Sequence, residues 1–334
     1  MPAISTHQPP AEQPFVSFII PAYDLPAELL RPCVESIRTL SLRPTEREII
    51  IVDDGSPTPL INLLTDVADE LVYVRQPNQG VSVARNRGLL VAQGRFVQFV
   101  DGDDLLQQTA YEHVLDLARF GNTDMVLFGF TTSPTAATDC NFTDGDPVSG
   151  SELLRRQNIH GAAWGFLFRH DILGGLRFTP GISYGEDEEF TPQLLLRAER
   201  VCTTDAEAYY YRPRPASAIH STDVRSRLVR LNNTKEVIVN LQKKLDTLPP
   251  DERLALQRRI DQLTMDYIHN IIVYTHDRQY LDRRLEELRQ LGRFPLPDRN
   301  YTARYTWFRR LANNSAGLTL LMNTLPLIAK RSEK

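Results

Sequence analysis

Residues 95–104 read RFVQFVDGDD, an apolar and aromatic run that ends in three carboxylates within four positions. RFVQFV has the composition of a buried strand. Asp101, Asp103 and Asp104 would repel one another at its end, so they must meet a cation or lie in water. Alternate side chains of an extended backbone face the same way, which puts Asp101 and Asp103 on one side. Hard divalent cations, Mg²⁺ or Mn²⁺, prefer oxygen ligands of this kind. A D-x-D spacing also occurs in ordinary loops, so its surroundings decide its weight.

Working outward, the first half of the chain alternates short apolar runs with helical patterns. FVSFII (15–20), EIIIV (48–52), LVYVRQ (71–76), RFVQFV (95–100) and DMVLFGF (124–130) read as five strands. Helices are expected over 29–40, 61–68, 82–92 and 109–120, with Gly94 closing the third as a C-cap. Nearly continuous apolar strands alternating with helices imply an α/β fold with a mostly parallel sheet covered on both faces. In such sheets ligands bind beyond the carboxyl ends of the strands. IIIVDDGS and QFVDGDD both place their acids at such ends, and that coincidence is the argument for a site.

The section 131–220 is less regular, with AAWGFLFR, then GISYGEDEEF opening a helix through 198. From 224 the texture changes to charged helices over 224–245, 249–276 and 277–292. Asp251 is the expected N-cap of the second, and Leu281, Leu285, Leu288 and Leu291 form one stripe of the third. Such stripes are read as helix packing. The tail, 301–334, mixes aromatics and cations with apolar stretches, which suits either a membrane surface or a docked terminal helix.

A chain of 334 residues with 42% hydrophobic residues and a net charge of −4 is an ordinary globular protein without the basic footprint of a nucleic-acid binder. Cys33, Cys140 and Cys202 are far apart and odd in number, which argues against a disulfide framework and fits a reducing cytoplasm. Residues 1–14 have no signal-peptide pattern and are read as a disordered arm. No run is long enough to span a membrane.

Asp53 and Asp54 follow the second strand. An Asx-type turn would explain one aspartate there; two favour a role towards a ligand, such as a base imide or ribose hydroxyls. No GxGxxG follows the first strand and no GxxxxGK[ST] occurs, so a cation rather than a glycine cradle would hold phosphates. The same absence disfavours a sugar nucleotidyltransferase.

VSFIIPAYD, IIIVDDGS, NQGVSVARNRGLLVAQGRFVQFVDGDD and YGEDEEF, in that order, resemble glycosyltransferase family 2 over roughly residues 15–220. The resemblance implies a GT-A catalytic domain at 15–220, followed by a helical region at 221–334. It implies inverting transfer from a nucleoside-diphosphate sugar, with a divalent metal on the D-x-D carboxylates. Residue by residue, it implies that Pro21, Ala22 and Tyr23 line the nucleotide and that Asp54 bonds the base with Asp53 close by. Arg85 and Asn86 would face the pyrophosphate or shape its pocket. Asp101 and Asp103 would meet ribose and metal, with Asp104 sharing that duty, and Asp187 would be the catalytic base. Asp24 departs from the asparagine usual after PAY.

Glu186 competes with Asp187, although neighbours on a helix point about 100° apart, so one of them reaches a cleft. His220 follows a segment that resembles one closing over the donor in relatives; it is either a metal or phosphate contact or a loop histidine. Arg212 and Arg214 stand likewise. Trp164 is either a platform for a sugar face or core. The expectation is a cytoplasmic, metal-dependent transferase using a UDP-sugar and a glycan or lipid-linked acceptor. Contact with the inner membrane face and self-association are both compatible with its helices. The alternative from another class is a catalytically silent module of the same fold that binds nucleotide sugars or glycans, and it lacks support because the D-x-D and Asp187 are both present.

Overall fold

The computed structural model of the chain describes residues 13–133, 141–213 and 223–332. It divides into two compact units, one comprising the residues up to 147 with 163–181 and 200–212, the other 148–162, 182–199 and the chain from 213 onward. The helical unit therefore takes two segments from upstream of the boundary expected at 220.

The first unit is built on an eight-stranded sheet. Its strands are β1 (Val16–Ala22), β2 (Arg47–Asp53), β3 (Leu71–Arg75), β4 (Phe96–Phe99), β5 (Leu105–Leu106), β6 (Met125–Thr131), β7 (Phe166–Arg169) and β8 (Val201–Tyr210). They lie in the order β3-β2-β1-β4-β7-β6-β8-β5. The pairings β1–β2, β1–β4, β2–β3 and β6–β8 are parallel, whereas β4–β7, β6–β7 and β5–β8 are antiparallel. The five expected strands are present, and the parallel half built from β1 to β4 is the arrangement that their apolar runs imply. β5, β7 and β8 were not among them. β7 has only four residues, too short for periodicity to register. β8 carried a legible signal, since Ala206 and Ala208 are buried while Asp205 and Glu207 alternate outward.

The helices of this unit are α1 (Ala27–Arg38), α2 (Val81–Val91) and α3 (Gln108–Phe120). The helix expected over 61–68 is instead two short 3₁₀ turns, Leu60–Leu63 and Ala68–Glu70. Gly94 is not a C-cap either. The α2 helix ends at Val91, and a Cβ at Gly94 would lie 2.5 Å from the Ser17 nitrogen, so this glycine allows close approach to β1.

The second unit contains α4 (Gly150–Arg156), α5 (Glu186–Leu195), α6 (Val224–Leu245), α7 (Pro250–Thr275), α8 (Arg278–Gln290), α9 (Ala303–Ala312) and α10 (Ser315–Ser332). Its core joins Leu231, Ile238 and Leu241 of α6 to Ile260, Ile268 and Ile272 of α7 and to Leu281, Leu285 and Leu288 of α8. Helix packing thus accounts for the stripes; Leu291, past the end of α8, is half-buried. Asp251 lies inside the first turn of α7, capped by Pro249, and pairs with Arg155 at 2.9 Å. In the tail, Tyr305, Phe308, Leu318 and Leu321 dock on the core while Trp307, Leu320 and Leu327 stay exposed. Among the described residues no helix is long and apolar enough to cross a membrane.

Candidate active site

The parallel strands β1, β2 and β4 end together, and three acidic or polar turns leave them. After β1, Pro21 and Ala22 are buried, whereas the Tyr23 ring is exposed. Asp24 takes a left-handed backbone with φ +48°, and its N–H donates to the Ser56 hydroxyl at 2.9 Å. Asparagine and aspartate are the non-glycine residues that most readily adopt this conformation, which explains why aspartate replaces asparagine here.

After β2, the two aspartates divide their work. Asp53 is fully buried and accepts from the Ser56 N–H at 2.8 Å, the Leu60 N–H at 3.2 Å and the Tyr73 hydroxyl. It builds the turn, so its expected place beside the nucleotide is corrected: no oxygen is left facing outward. Burial raises its pKa, yet those hydrogen bonds outweigh it and hold the carboxyl below its ordinary value. Asp54 accepts from Gln76 Nε2 at 2.8 Å, the Gln79 N–H at 2.9 Å and the Gly80 N–H at 2.8 Å. These bonds orient its carboxylate and leave one of about four lone-pair positions for a further donor.

The turn after β4 answers the question raised by its three acids. Asp101 and Asp103 are half-exposed and Asp104 is buried, but the segment is not the extended one that D-x-D alternation assumes: it is a turn closed by the Asp104 N–H donating to the Asp101 carbonyl at 2.9 Å. Asp101 is neutralised by Arg85, whose Nη2 lies 3.1 Å from Oδ1. Arg85 is itself buried, its guanidinium 5.3 Å from the Phe178 ring centroid and 5.9 Å from that of Phe99. It is thus held between two aromatic rings rather than exposed. Asp104 is 1% exposed and accepts from the Tyr209 hydroxyl at 2.9 Å and the Arg212 N–H at 2.8 Å. Burial, and then the Asp101 charge, push its pKa up to about 7. Facing inward with both oxygens engaged, Asp104 leaves the expected metal set.

Asn86 exchanges two hydrogen bonds with the Phe178 backbone, donating from Nδ2 at 2.8 Å and accepting at Oδ1 at 2.9 Å. Its amide is spent on that strand-like clamp, which corrects the pyrophosphate contact. Trp164 is 7% exposed and stacks on Tyr209 with ring centroids 4.3 Å apart, so it sits in the core. His220 and Arg214 lie outside the described residues.

In the helical unit, Glu186, Asp187, Glu188 and Glu189 fill the first turn of α5, where the positive end of the helix dipole favours them. Glu186 is 9% exposed and Asp187 half-exposed, the divergence that helical geometry requires of neighbours. The Asp187 carboxylate accepts from the Glu188 N–H at 2.9 Å.

Among the described residues no three His, Cys, Asp or Glu side chains are grouped to hold a metal ion. Mg²⁺ does not need such a cage, because it is commonly held by one or two carboxylates with waters and substrate phosphates. Half-exposed Asp101 and Asp103 fit that pattern.

Residues 17–178 match the model of "Glycosyl transferase family 2". The chain is 30% identical over 284 residues to the uncharacterized glycosyltransferase YibD of Escherichia coli, covering 80% of this chain and 76% of that protein. It is 24% identical over 204 residues to the poly(ribitol-phosphate) beta-N-acetylglucosaminyltransferase TarP of Staphylococcus aureus, 58% of this chain and 62% of that one. Among solved structures, S. aureus TarS 1–349 in complex with UDP-GlcNAc superposes with a TM-score of 0.62 at 17% identity, covering 95% and 92% of the two chains. The mannosyltransferase PcManGT of Pyrobaculum calidifontis, in complex with GDP-Man and Mn²⁺, gives 0.55 at 15% identity over 96% and 87%. The sheet order, the acidic strand ends and these matches agree: the chain is a glycosyltransferase belonging to glycosyltransferase family 2, with a GT-A fold.

Proposed function

We propose that this enzyme moves a sugar from a UDP-sugar to a hydroxyl of a glycan or lipid-linked saccharide, with inversion at the anomeric carbon. The observation that carries the reading is the turn after β4: two half-exposed carboxylates, one of them set by a buried arginine. The UDP-GlcNAc named for TarS and the acceptor named for TarP support the donor and acceptor classes.

Each residue has a task in that reaction. The exposed Tyr23 ring would stack on the base, and Asp54, its carboxylate fixed by three donors, would accept from the base imide. Asp101 and Asp103 would hold Mg²⁺ or Mn²⁺, which when bound neutralises charge on the diphosphate. Arg85 would keep Asp101 aimed. Asp187 would take the acceptor hydroxyl's proton as that oxygen bonds the anomeric carbon, and the C–O bond to the diphosphate would break with its electron pair leaving on UDP. One base on the face opposite the leaving group gives inversion.

Titration calorimetry with UDP tests the donor half. UDP should bind in the presence of Mn²⁺, and the heat should vanish in EDTA and in Asp103→Ala. Binding that is equal with and without metal, or absent altogether, would remove the centre of this reading.

A further inference from the structure

We infer that Arg259 is a positioning residue for Asp187, fixing the first turn of α5 through Glu188 and supplying a cation to that acidic turn. The inference rests on the reading of Asp187 as the base. Arg259 projects from α7, is 8% exposed, and pairs with the Glu188 carboxylate. Glu188 also packs closely on Gly161, where an added Cβ would lie 2.4 Å from Oε2. The Thr191 hydroxyl donates to the Gly161 carbonyl at 2.6 Å, tying that loop to α5 as well.

The α6 helix holds the rest of the turn. Asn233 Oδ1 accepts from the Ser183 N–H at 3.2 Å, the Arg230 guanidinium lies 5.0 Å from the Tyr184 ring centroid, and Asn240 Nδ2 donates to Glu189 at 3.2 Å. Residues on both sides of Asp187 are thus anchored to α6 or α7. This gives the C-terminal helices a concrete task, which is to set the base-bearing turn.

Charge supplies the second half of the argument. Asp187 has Glu186, Glu188 and Glu189 as neighbours on its own turn, and like charges favour the protonated form. His160, on the loop beside Gly161, offers no reliable cation, since burial and then the Arg259 charge hold its pKa below the ordinary value. Asp266 of α7 adds another acid and is itself paired with Arg304 of α9 at 3.3 Å. Arg259 is the opposing cation: burial lowers its pKa, and the Asp266 and then the Asp187 charge act against that, an interaction that is reciprocal. Replacing Arg259 alone by an apolar side chain leaves the Glu188 carboxylate without its counter-charge. The arginine's charge is what an apolar residue would not supply.

The test uses the full chain labelled with ¹³C at aspartate carboxyls, the Asp187 resonance being identified by its loss in Asp187→Asn. The Asp187 titration midpoint should rise by about one pH unit in Arg259→Met and stay near its native position in Arg259→Lys. Arg259→Gln, neutral but able to bond Glu188, should give the same rise and serves if the methionine variant does not fold. The acid limb of kcat/KM should move up with the midpoint. An unmoved midpoint in a folded neutral variant overturns the inference while leaving the base reading intact, provided Asp187→Asn is inactive. An active Asp187→Asn overturns both.

Discussion

Three carboxylates follow β4 and four open α5, and the two groups are neutralised by different means. After β4 the backbone makes a turn, closed by the Asp104 N–H on the Asp101 carbonyl, that leaves Asp101 and Asp103 half-exposed and buries Asp104. One buried arginine and one protonatable carboxyl absorb the excess charge. At α5 the acids spread around a helical turn, and the dipole of the helix receives them together. The turn after the strand sorts its acids into exposed and buried, whereas a helix N-terminus tolerates all of them and lets packing choose which remains accessible.

Substitutions can break this comparison. The largest effect is expected at α5, where Asp187→Asn should lower kcat by roughly 10²–10⁴-fold, the usual worth of a general base. UDP affinity should stay unchanged in the same variant. A normal kcat would mean that the proton leaves by another route.

Within DGDD, Asp103→Asn should cost on the order of 10²–10³-fold in kcat/KM and abolish Mn²⁺-dependent UDP binding. Asp104→Asn should leave most of that binding in place, because its side chain faces Tyr209 and Arg212. Equal losses in both variants would refute the sorting of these acids into an exposed pair and a buried one.

The buried member can also be read through pH. The folded pKa of Asp104, about 7, lies above its ordinary 3.8, so the folded chain keeps this proton to higher pH than the unfolded chain does. Stability from this group is complete at low pH and declines as pH rises from about 4 to about 7, on the order of a few kcal/mol. Melting curves in EDTA should show Asp104→Asn flattening the slope over that window. An unchanged slope would place the titrating group elsewhere.

The smallest effect is expected at Asn86. Losing its paired bonds to Phe178 should destabilise the fold by about 1–3 kcal/mol in urea denaturation of Asn86→Ala, with metal dependence of UDP binding retained. If metal dependence disappeared instead, Asn86 would belong to the donor site after all.

Much of this was legible before any coordinates. The apolar runs of β1, β2, β3, β4 and β6 announced buried strands, and the helical spacing at 224–245 matched α6 to the residue. What was missed was short or shaped by distant partners. The four residues of β7 become a strand because β4 and β6 leave an antiparallel place between them. No local pattern shows that Asp53 will be consumed by Ser56, Leu60 and Tyr73, since two of those donors are set by loop closure and sheet register.

By itself, the sequence determined the class of fold, the family and the places where acids must gather, because period and composition act locally. Only the tertiary structure decided which acid is exposed, which is buried and which cation faces it. Burial and charge pairing depend on residues far away in the chain, as Arg85 with Asp101 and Arg259 with Glu188 show, and no spacing rule encodes those distances.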